Sequence, residues 1–294
     1  MTRRPPPPSG IIIIDKPSGW TSHDVVAKMR GIAGTRKVGH AGTLDPMATG
    51  VLVVGVEKAT RLLGHLALTE KVYEATMRLG VSTNTDDAEG EEIGRTSASK
   101  VTEEDVHKGI EALTGLIMQV PPQVSAIKVN GERAYKLARQ GEEVELQARP
   151  ITVHAFEVTS VVLGEHVDVE AVITCSSGTY IRSLARDLGA GLGVGGHLTA
   201  LRRTRVGPYP VERARTLDQL QKDCVILPIA DAVTQAFPRR DVTEDEARLV
   251  SHGGRLTAAG LGEGPIGVFA PGGELLALVE EKGGTAKPLA VFVS

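Results

Sequence analysis

The stretch Gly39-His40-Ala41-Gly42-Thr43-Leu44-Asp45-Pro46-Met47-Ala48-Thr49-Gly50-Val51-Leu52 is the most informative part of the sequence. It presents one carboxylate, Asp45, among small residues, and Pro46 biases Asp45 away from helical geometry. The flanking glycines allow another backbone segment to approach closely. A lone carboxylate cannot perform paired acid/base hydrolysis, but it can act as a nucleophile when a fixed cation keeps it ionised. The alternative interpretation is an Asx turn before a strand.

Strand patterns lie on both sides of this loop. Buried strands are predicted at Gly10–Asp15, Gly50–Val56 and Lys71–Gly80. Ser22 is predicted to be the N-cap of an amphipathic helix between the first strand and the loop. The polar loop itself is expected to run from Gly31 to Pro46.

The second half of the chain repeats this mixture of strands and helices. Residues Ile151–Ser176 alternate in two runs around Leu163-Gly164-Glu165, which predicts a hairpin. Ser177 is predicted to cap a helix from Thr179 to about Leu188, on which Arg182 and Arg186 share one face. The spacing Gly191, Gly193, Gly196 fits a dinucleotide motif, but it follows a helix rather than a strand, so a dinucleotide site is excluded.

The two ends of the chain have a different composition. Met1-Thr2-Arg3-Arg4 and the prolines Pro5–Pro8 predict a disordered tail over residues 1–9. Phe237–Arg240 is expected to be a linker, and the glycine-rich remainder predicts a small β domain over residues 238–294.

Composition limits the class of protein. The chain has 294 residues and a formal net charge of −3, so any anionic partner has to meet a local basic region. Residues 1–81 and 149–215 carry net charges of +5 and +2 and supply such regions. Only two cysteines are present, which excludes a disulfide framework. Since the aliphatic runs are also too short to cross a bilayer, a cytoplasmic protein with no membrane association is expected.

Two common kinds of site are excluded by their motifs. The run Gly34–Ala41 resembles a phosphate loop, but His40 and Ala41 stand where such a loop requires Lys and Ser or Thr. The histidines and cysteines lack metal-ligand spacing, so no metal site is expected.

The loop around Asp45 resembles the signature of the tRNA pseudouridine synthase B family, whose members isomerise uridine at position 55 in the T loop of tRNA. Further stretches in the same order also resemble this family, and they are Ile13–Ser22, Lys71–Ala75, Gln119–Lys128, Ser177–Ala185 and His197–Thr204. The resemblance implies an α+β fold with a bent, mainly antiparallel mixed sheet, no cofactor and no metal. It also implies a catalytic domain over residues 10–236 and identifies residues 238–294 as a PUA-like RNA-binding domain.

The resemblance implies a role for each matched residue. Asp45 is the expected catalytic nucleophile, and Arg182 is the arginine that pairs with it and keeps it ionised. Lys16 is expected to orient the catalytic loop or to contact phosphate. The expected substrate-binding residues are Tyr73, which stacks on the flipped uracil; Tyr180, placed to assist loss of the C5 proton; Leu201, an apolar wall; and His40, which fills the gap left by the flipped base.

Other functions are also compatible with these residues. Taken singly, Tyr73 and Leu201 are typical of ordinary core and Lys16 of a surface charge. A non-catalytic tRNA-binding or RNA-folding protein could keep the same fold, although binding alone requires neither Asp45 nor Arg182. A guide-RNA-dependent relative is disfavoured because such proteins carry additional partner-binding extensions. The expected partner is the T-arm of tRNA, bound by a monomer without an obligatory protein partner.

Overall fold

The structure is a computed structural model that describes residues 5–124, 128–129, 132–133 and 146–293. Residues 1–4 of the predicted tail and residues 125–127 of the family motif Gln119–Lys128 lie outside the described residues. No helix among the described residues is long and apolar enough to cross a membrane.

The chain combines helices with runs of consecutive strands. The α-helices are α1 (Ser22–Ala33), α2 (Leu63–Ala67), α3 (Glu103–Ala112), α4 (Ile181–Gly191), α5 (Leu217–Lys222), α6 (Ile229–Ala236) and α7 (Glu244–Ser251), with 3₁₀ helices at Glu57–Leu62 and Val211–Arg213. The strands are β1 (Gly10–Lys16), β2 (Val38–Ala41), β3 (Thr49–Val56), β4 (Lys71–Leu79), β5 (Val81–Thr83), β6 (Glu92–Arg95), β7 (Gly115–Gln119), β8 (Lys128–Val129), β9 (Glu132–Arg133), β10 (Arg149–Val162), β11 (Val167–Cys175), β12 (Gly196–Val206), β13 (Tyr209–Pro210), β14 (Leu227–Pro228), β15 (Arg239–Asp241), β16 (Leu256–Thr257), β17 (Pro265–Phe269), β18 (Leu275–Lys282) and β19 (Thr285–Val291).

The chain forms two compact units. Unit 1 contains the described residues up to Asp45, residues Val51–Ala67 and the described residues from Val206 onward. Unit 2 contains Pro46–Gly50 and Leu68–Arg205. The chain therefore passes from unit 1 to unit 2 directly after Asp45 and returns after Gly50.

Strands β1 and β3, which carry the aliphatic runs of unit 1, are buried on both faces. Strand β1 lies between β14 and β3, and β2 pairs antiparallel with β3 so that His40 is opposite Val54. Because side chains of a strand alternate between faces, the aliphatic runs of β1 and β3 supply two cores. Ile11, Ile13, Val51 and Val53 join one cluster, and Ile12, Ile14, Leu52 and Val54 join the other.

Those two clusters differ in what packs against the strands. One contains Val25 and Met29 of α1, and the other contains Phe269 and Leu278 of the C-terminal strands and Phe292 directly after β19. The C-terminal strands form a sheet in the order β15-β17-β18-β19-β16, and a third cluster fills the space between this sheet and α7. The small C-terminal β domain predicted from the sequence is confirmed.

Unit 2 is built on a mixed sheet in the order β12-β4-β11-β10-β7. Antiparallel pairs place Tyr73 of β4 opposite Ile173 of β11, and Thr152 of β10 opposite Leu116 of β7. The first two residues of β3 pair in parallel with β12, so that Gly50 is opposite Arg203. The predicted hairpin is present as β10 and β11, and the α+β class with a mainly antiparallel mixed sheet is confirmed.

Four local predictions are wrong. The expected linker Phe237–Arg240 is not a loop throughout, because Arg239 and Arg240 belong to β15, which pairs in parallel with β17. Thr21, not Ser22, is the N-cap of α1, because the Thr21 hydroxyl accepts from Asp24 N and the Asp24 carboxylate accepts from Thr21 N. Helix α4 begins at Ile181 rather than Thr179, since the side-chain amide of Gln119 pairs with both backbone polar groups of Tyr180. The segment Gly31–Pro46 is not one loop, because α1 extends to Ala33 and β2 follows.

Candidate functional site

The loop that carries Asp45 is held on its N-terminal side by α1. The Ser22 hydroxyl accepts a hydrogen bond from Leu44 N at 2.9 Å and donates one to Leu44 O at 3.2 Å. Both residues are buried, at 1% and 3% exposure. Since Leu44 directly precedes Asp45, these two bonds set the direction in which the chain enters Asp45, which is itself partly buried.

The C-terminal side of the same loop is fixed within unit 2 by a close backbone approach. Gly50 has a φ of +96°, and a Cβ at this position would lie 2.2 Å from the carbonyl oxygen of Arg203. Only glycine satisfies both conditions. The prediction that glycines of this loop admit another backbone is confirmed at Gly50.

Lys16 and His40 lie in unit 1 on the elements next to this loop. Lys16 is fully buried, and its Nζ donates to Pro17 O at 2.9 Å and Trp20 O at 2.6 Å. It therefore closes the turn that leads into α1, and the interpretation of Lys16 as a surface charge is wrong. The ring of His40 meets the ring of His23 edge-on, with centroids 5.5 Å apart.

Arg182 lies in unit 2 in the first turn of α4 and is buried, with its side chain 5% exposed. Its guanidinium donates to Thr85 O at 2.9 Å through Nη1 and to Val124 O at 3.1 Å through Nη2. Nη1 also lies 3.4 Å from the Asp87 carboxylate, whose side chain is 4% exposed. Arg182 is therefore not a solvated charge on the surface of α4, because a buried guanidinium requires such partners.

The turn that receives Arg182 is itself tightly bonded. Asp87 Oδ1 accepts from the Thr85 hydroxyl at 2.6 Å and from Glu89 N at 3.1 Å, which leaves Oδ2 facing Arg182. The Thr83 hydroxyl donates to Asp87 O at 2.7 Å. Neutral donors on Oδ1 thus fix the orientation in which the Asp87 carboxylate faces the guanidinium of Arg182.

Two further cations are buried in unit 2 on adjacent parts of its sheet. Lys71 of β4 and Arg203 of β12 are 5% and 1% exposed. Burial, with the positive charge of Arg203 as the second cause, lowers the pKa of Lys71 to about 8. Burial also raises the pKa of the Cys175 thiol, opposite Lys71 in the sheet, to about 11.

The aromatic and apolar positions expected to surround the base lie in unit 2. Tyr73 and Leu201 are both 7% exposed, on the neighbouring strands β4 and β12. Tyr180 directly precedes α4, where Gln119 Nε2 donates to Tyr180 O at 3.1 Å and Tyr180 N donates to Gln119 Oε1 at 2.8 Å. Their roles toward a substrate remain predictions. Among the described residues, no group of His, Cys, Asp and Glu side chains is arranged to hold a metal ion.

Models of one protein family match consecutive parts of this chain. Residues 30–181 match the TruB family pseudouridylate synthase N-terminal domain, residues 182–233 the tRNA pseudouridylate synthase B C-terminal domain, and residues 237–293 the tRNA pseudouridine synthase II C-terminal model. The chain belongs to the TruB family of pseudouridylate synthases. It is therefore an enzyme of the isomerase class.

Full-length relatives agree with this TruB assignment. The tRNA pseudouridine synthase B of Thermobifida fusca is 65% identical over 288 residues, covering 96% of this chain and 98% of the relative. The protein of the same name from Streptomyces coelicolor is 62% identical over 300 residues, covering 99% and 100%. The family resemblance seen in the sequence is confirmed.

Solved structures share the TruB fold of this chain. A structure of an H/ACA RNP bound to a substrate RNA containing 2'-deoxyuridine matches with a TM-score of 0.73 and 29% identity, covering 97% of this chain and 85% of the other. A Cbf5-Nop10-Gar1 complex matches with a TM-score of 0.71 and 32% identity, covering 97% and 84%.

Sequence reasoning missed several residues around Arg182. Asp87 stands in the acidic segment Ser82–Gly94, whose composition is typical of an exposed turn, yet it is buried against Arg182. Gln119 was part of a quoted motif without a role, and it fixes the backbone of Tyr180. A signal for Asp87 existed in principle, because a buried arginine needs a buried anion, but the sequence alone does not show which acid supplies it.

Proposed function

We propose that this TruB-family chain isomerises uridine to pseudouridine at position 55 in the T loop of tRNA, with Asp45 as the nucleophile. Family membership supports the reaction class, and the name tRNA pseudouridine synthase B of relatives up to 65% identical supports the substrate. The observation that carries the role of Asp45 is its location directly after Leu44, whose backbone N–H and carbonyl are both bonded to Ser22. A carboxylate whose backbone is held in this way loses little entropy when it attacks.

The reaction explains why a nucleophile is needed. The glycosidic bond between N1 and C1′ breaks, the uracil rotates, and a bond forms between C5 and C1′. C5 loses its proton and N1 gains one, so the product is an isomer of the substrate. Because the base is detached in between, the Asp45 carboxylate holds one fragment covalently, by attack at either ribose C1′ or uracil C6, and is released at the end.

The remaining residues support this chemistry in our proposal. Arg182 supplies the positive charge that keeps the Asp45 carboxylate ionised, and Lys16 holds the turn that leads into α1. The base is held by Tyr73, Tyr180 and Leu201, with the Tyr180 side chain assisting loss of the C5 proton. His40 occupies the space that the flipped uridine leaves in the T loop, which offsets part of the unstacking cost of a few kcal/mol.

The proposed domain organisation follows the same assignment. Residues 10–236 form the catalytic domain, and residues 238–294 form a PUA-like domain that binds RNA. Two of the solved structures that share the fold are described as H/ACA RNP and Cbf5 complexes, which raises a guide-dependent alternative. Identity of 65% to a tRNA pseudouridine synthase B, against 29–32% to those complexes, favours a chain that acts on tRNA without a protein partner.

The test uses a tRNA transcript with tritium at C5 of its uridines and no other protein or RNA. We expect release of tritium equivalent to one uridine per tRNA, and no release when the uridine at position 55 is replaced by cytidine. Equal release from both transcripts would refute the choice of position. Absence of release from the unmodified sequence would refute an enzyme that acts alone on tRNA.

A further inference from the structure

Two arginines of α4 hold the same two segments of unit 2. Arg182 donates to Thr85 O and Val124 O. Arg186, one helical turn later, donates to Val120 O at 2.8 Å through Nη2 and pairs with the Asp86 carboxylate at 3.0 Å through Nη1. Each arginine thus bridges the turn Thr85–Asp87 and the stretch Val120–Val124.

Asp86 is the residue of this turn whose backbone is least favourable. Its φ is +60°, in the left-handed region that side-chain-bearing residues adopt infrequently. The carbonyl of Asp86 accepts from Leu198 N at 3.0 Å, which fastens the turn to β12. The two neighbours of Asp86 supply Arg182 with the Thr85 carbonyl and the Asp87 carboxylate. A change in the backbone of Asp86 would therefore move both acceptors.

The charged groups around Asp86 make its ion pair with Arg186 the main interaction of its side chain. Burial raises the pKa of Asp86 above its usual value, and the positive charge of Arg186 opposes this shift most strongly. The positive charge of Arg182 also lowers the pKa of Asp86, whereas the negative charge of Asp187 raises it. The side chains of Asp86 and Arg186 are 14% and 28% exposed, so the pair is less buried than Arg182 and Asp87.

We propose that Asp86 and Arg186 are positioning residues for the isomerisation. Their ion pair locks the Thr85–Asp87 turn against α4 and thereby fixes the guanidinium of Arg182, without contacting the substrate. This inference rests on the proposed role of Arg182 in keeping the nucleophile ionised. It identifies an outer pair, Asp86 and Arg186, that supports the inner pair, Asp87 and Arg182.

The experiment compares Asp86→Asn and Arg186→Gln with Asp187→Asn, a matched control. Asp187 also accepts from Arg186, at 2.9 Å, but it belongs to α4 and not to the turn. The first readout is the single-turnover rate with enzyme in saturating excess over tRNA, together with the steady-state KM for tRNA, and both are repeated in an Arg182→Lys background. The second is the Nε–H resonance of Arg182 in protein labelled with ¹⁵N-arginine, assigned by its absence in Arg182→Lys.

We expect Asp86→Asn and Arg186→Gln to lower the rate by roughly tenfold with KM within about twofold, since small misplacements of catalytic groups cost this much or more. Asp187→Asn stays within about twofold of wild type. In the Arg182→Lys background the two substitutions add less than about threefold, because the group they position is already changed. The Arg182 resonance shifts in both variants and not in Asp187→Asn.

Three results of the rate measurements would overturn the inference. These are an unchanged rate in Asp86→Asn, an equal loss in Asp187→Asn, or a full tenfold loss that persists in the Arg182→Lys background, which indicates general destabilisation. An Arg182 resonance that does not shift in Asp86→Asn would reject the positioning role on its own. The proposed function fails by a different result, which is the absence of tritium release from the wild-type enzyme.

Discussion

The loop of Asp45 and the surroundings of Arg182 are ordered by different kinds of interaction. Leu44 is held by two neutral hydrogen bonds with Ser22, one donated and one accepted by its hydroxyl, across 22 positions of the sequence. Arg182 and Arg186 are held by carboxylates and carbonyls, with Thr85 and Asp86 lying 97 and 100 positions away. Neutral bonds position a backbone at small desolvation cost, whereas a buried charge is stable only while all its partners remain. The Asp45 loop should therefore tolerate single changes better than the arginine network.

Among substitutions at residues that hold the two regions in place, those at Arg182 should lower the rate of isomerisation most. We expect Arg182→Ala to lower the single-turnover rate by about 10³-fold, and Arg182→Lys to lower it less while still impairing it. Lysine keeps the charge but loses the planar group that serves the Thr85 carbonyl, the Val124 carbonyl and Asp87 together. Wild-type rates in both variants would separate Arg182 from catalysis.

Removing the buried carboxylate charge of Asp87 should lower the free energy of unfolding more than removing the uncharged hydroxyl of Ser22. We expect Asp87→Asn to lower the free energy of unfolding by about 3 kcal/mol, because Arg182 is left buried beside an uncharged group. The measurement is the urea midpoint, with Asp187→Asn, at a carboxylate whose side chain is 31% exposed, as the less buried control. A loss no larger than that of the control would show that Asp87 does not stabilise the arginine.

The two hydrogen bonds between Ser22 and Leu44 should contribute less to the free energy of unfolding than the Asp87 carboxylate does. Ser22→Ala removes both hydrogen bonds to Leu44, and we expect a loss of about 1–2 kcal/mol in unfolding free energy together with a modest fall in kcat. Ser97→Ala, at an exposed serine, is the control. A loss at Ser22 as large as that of Asp87→Asn would remove the distinction between the two regions.

The smallest effect is expected at His40. If its side chain replaces the flipped base, His40→Gln should slow reaction on a structured T loop only a few-fold, with less effect on unstacked RNA and with an unchanged pH profile. His107→Gln on α3 is the control. Loss of several orders of magnitude on both RNAs, with loss of a pH limb near the ordinary histidine pKa of about 6.5, would instead make His40 a catalytic acid or base.

The sequence predicted the parts of this molecule that depend on local patterns. The buried strands β1 and β3, the β10–β11 hairpin and the need for glycine at Gly50 all follow from periodicity and turn chemistry. Helix ends were less predictable because distant side chains determine them, as Gln119 does for Tyr180. The partners of Arg182 could not be predicted, since Asp86 and Asp87 lie in an acidic, turn-like segment whose burial depends on α4 and β12.

The proposed role of Asp45 as the nucleophile is tested most directly by comparing the rate of tritium release with the affinity for tRNA in Asp45→Asn. The amide is close in size to the carboxylate but is a far weaker nucleophile, while RNA affinity depends mainly on phosphate contacts and loop shape. Single-turnover tritium release and filter binding are measured on the same tRNA preparation. We predict tRNA binding within about threefold of wild type and no detectable release. Release within tenfold of wild type, at unchanged affinity, would contradict the assignment of Asp45 as the nucleophile.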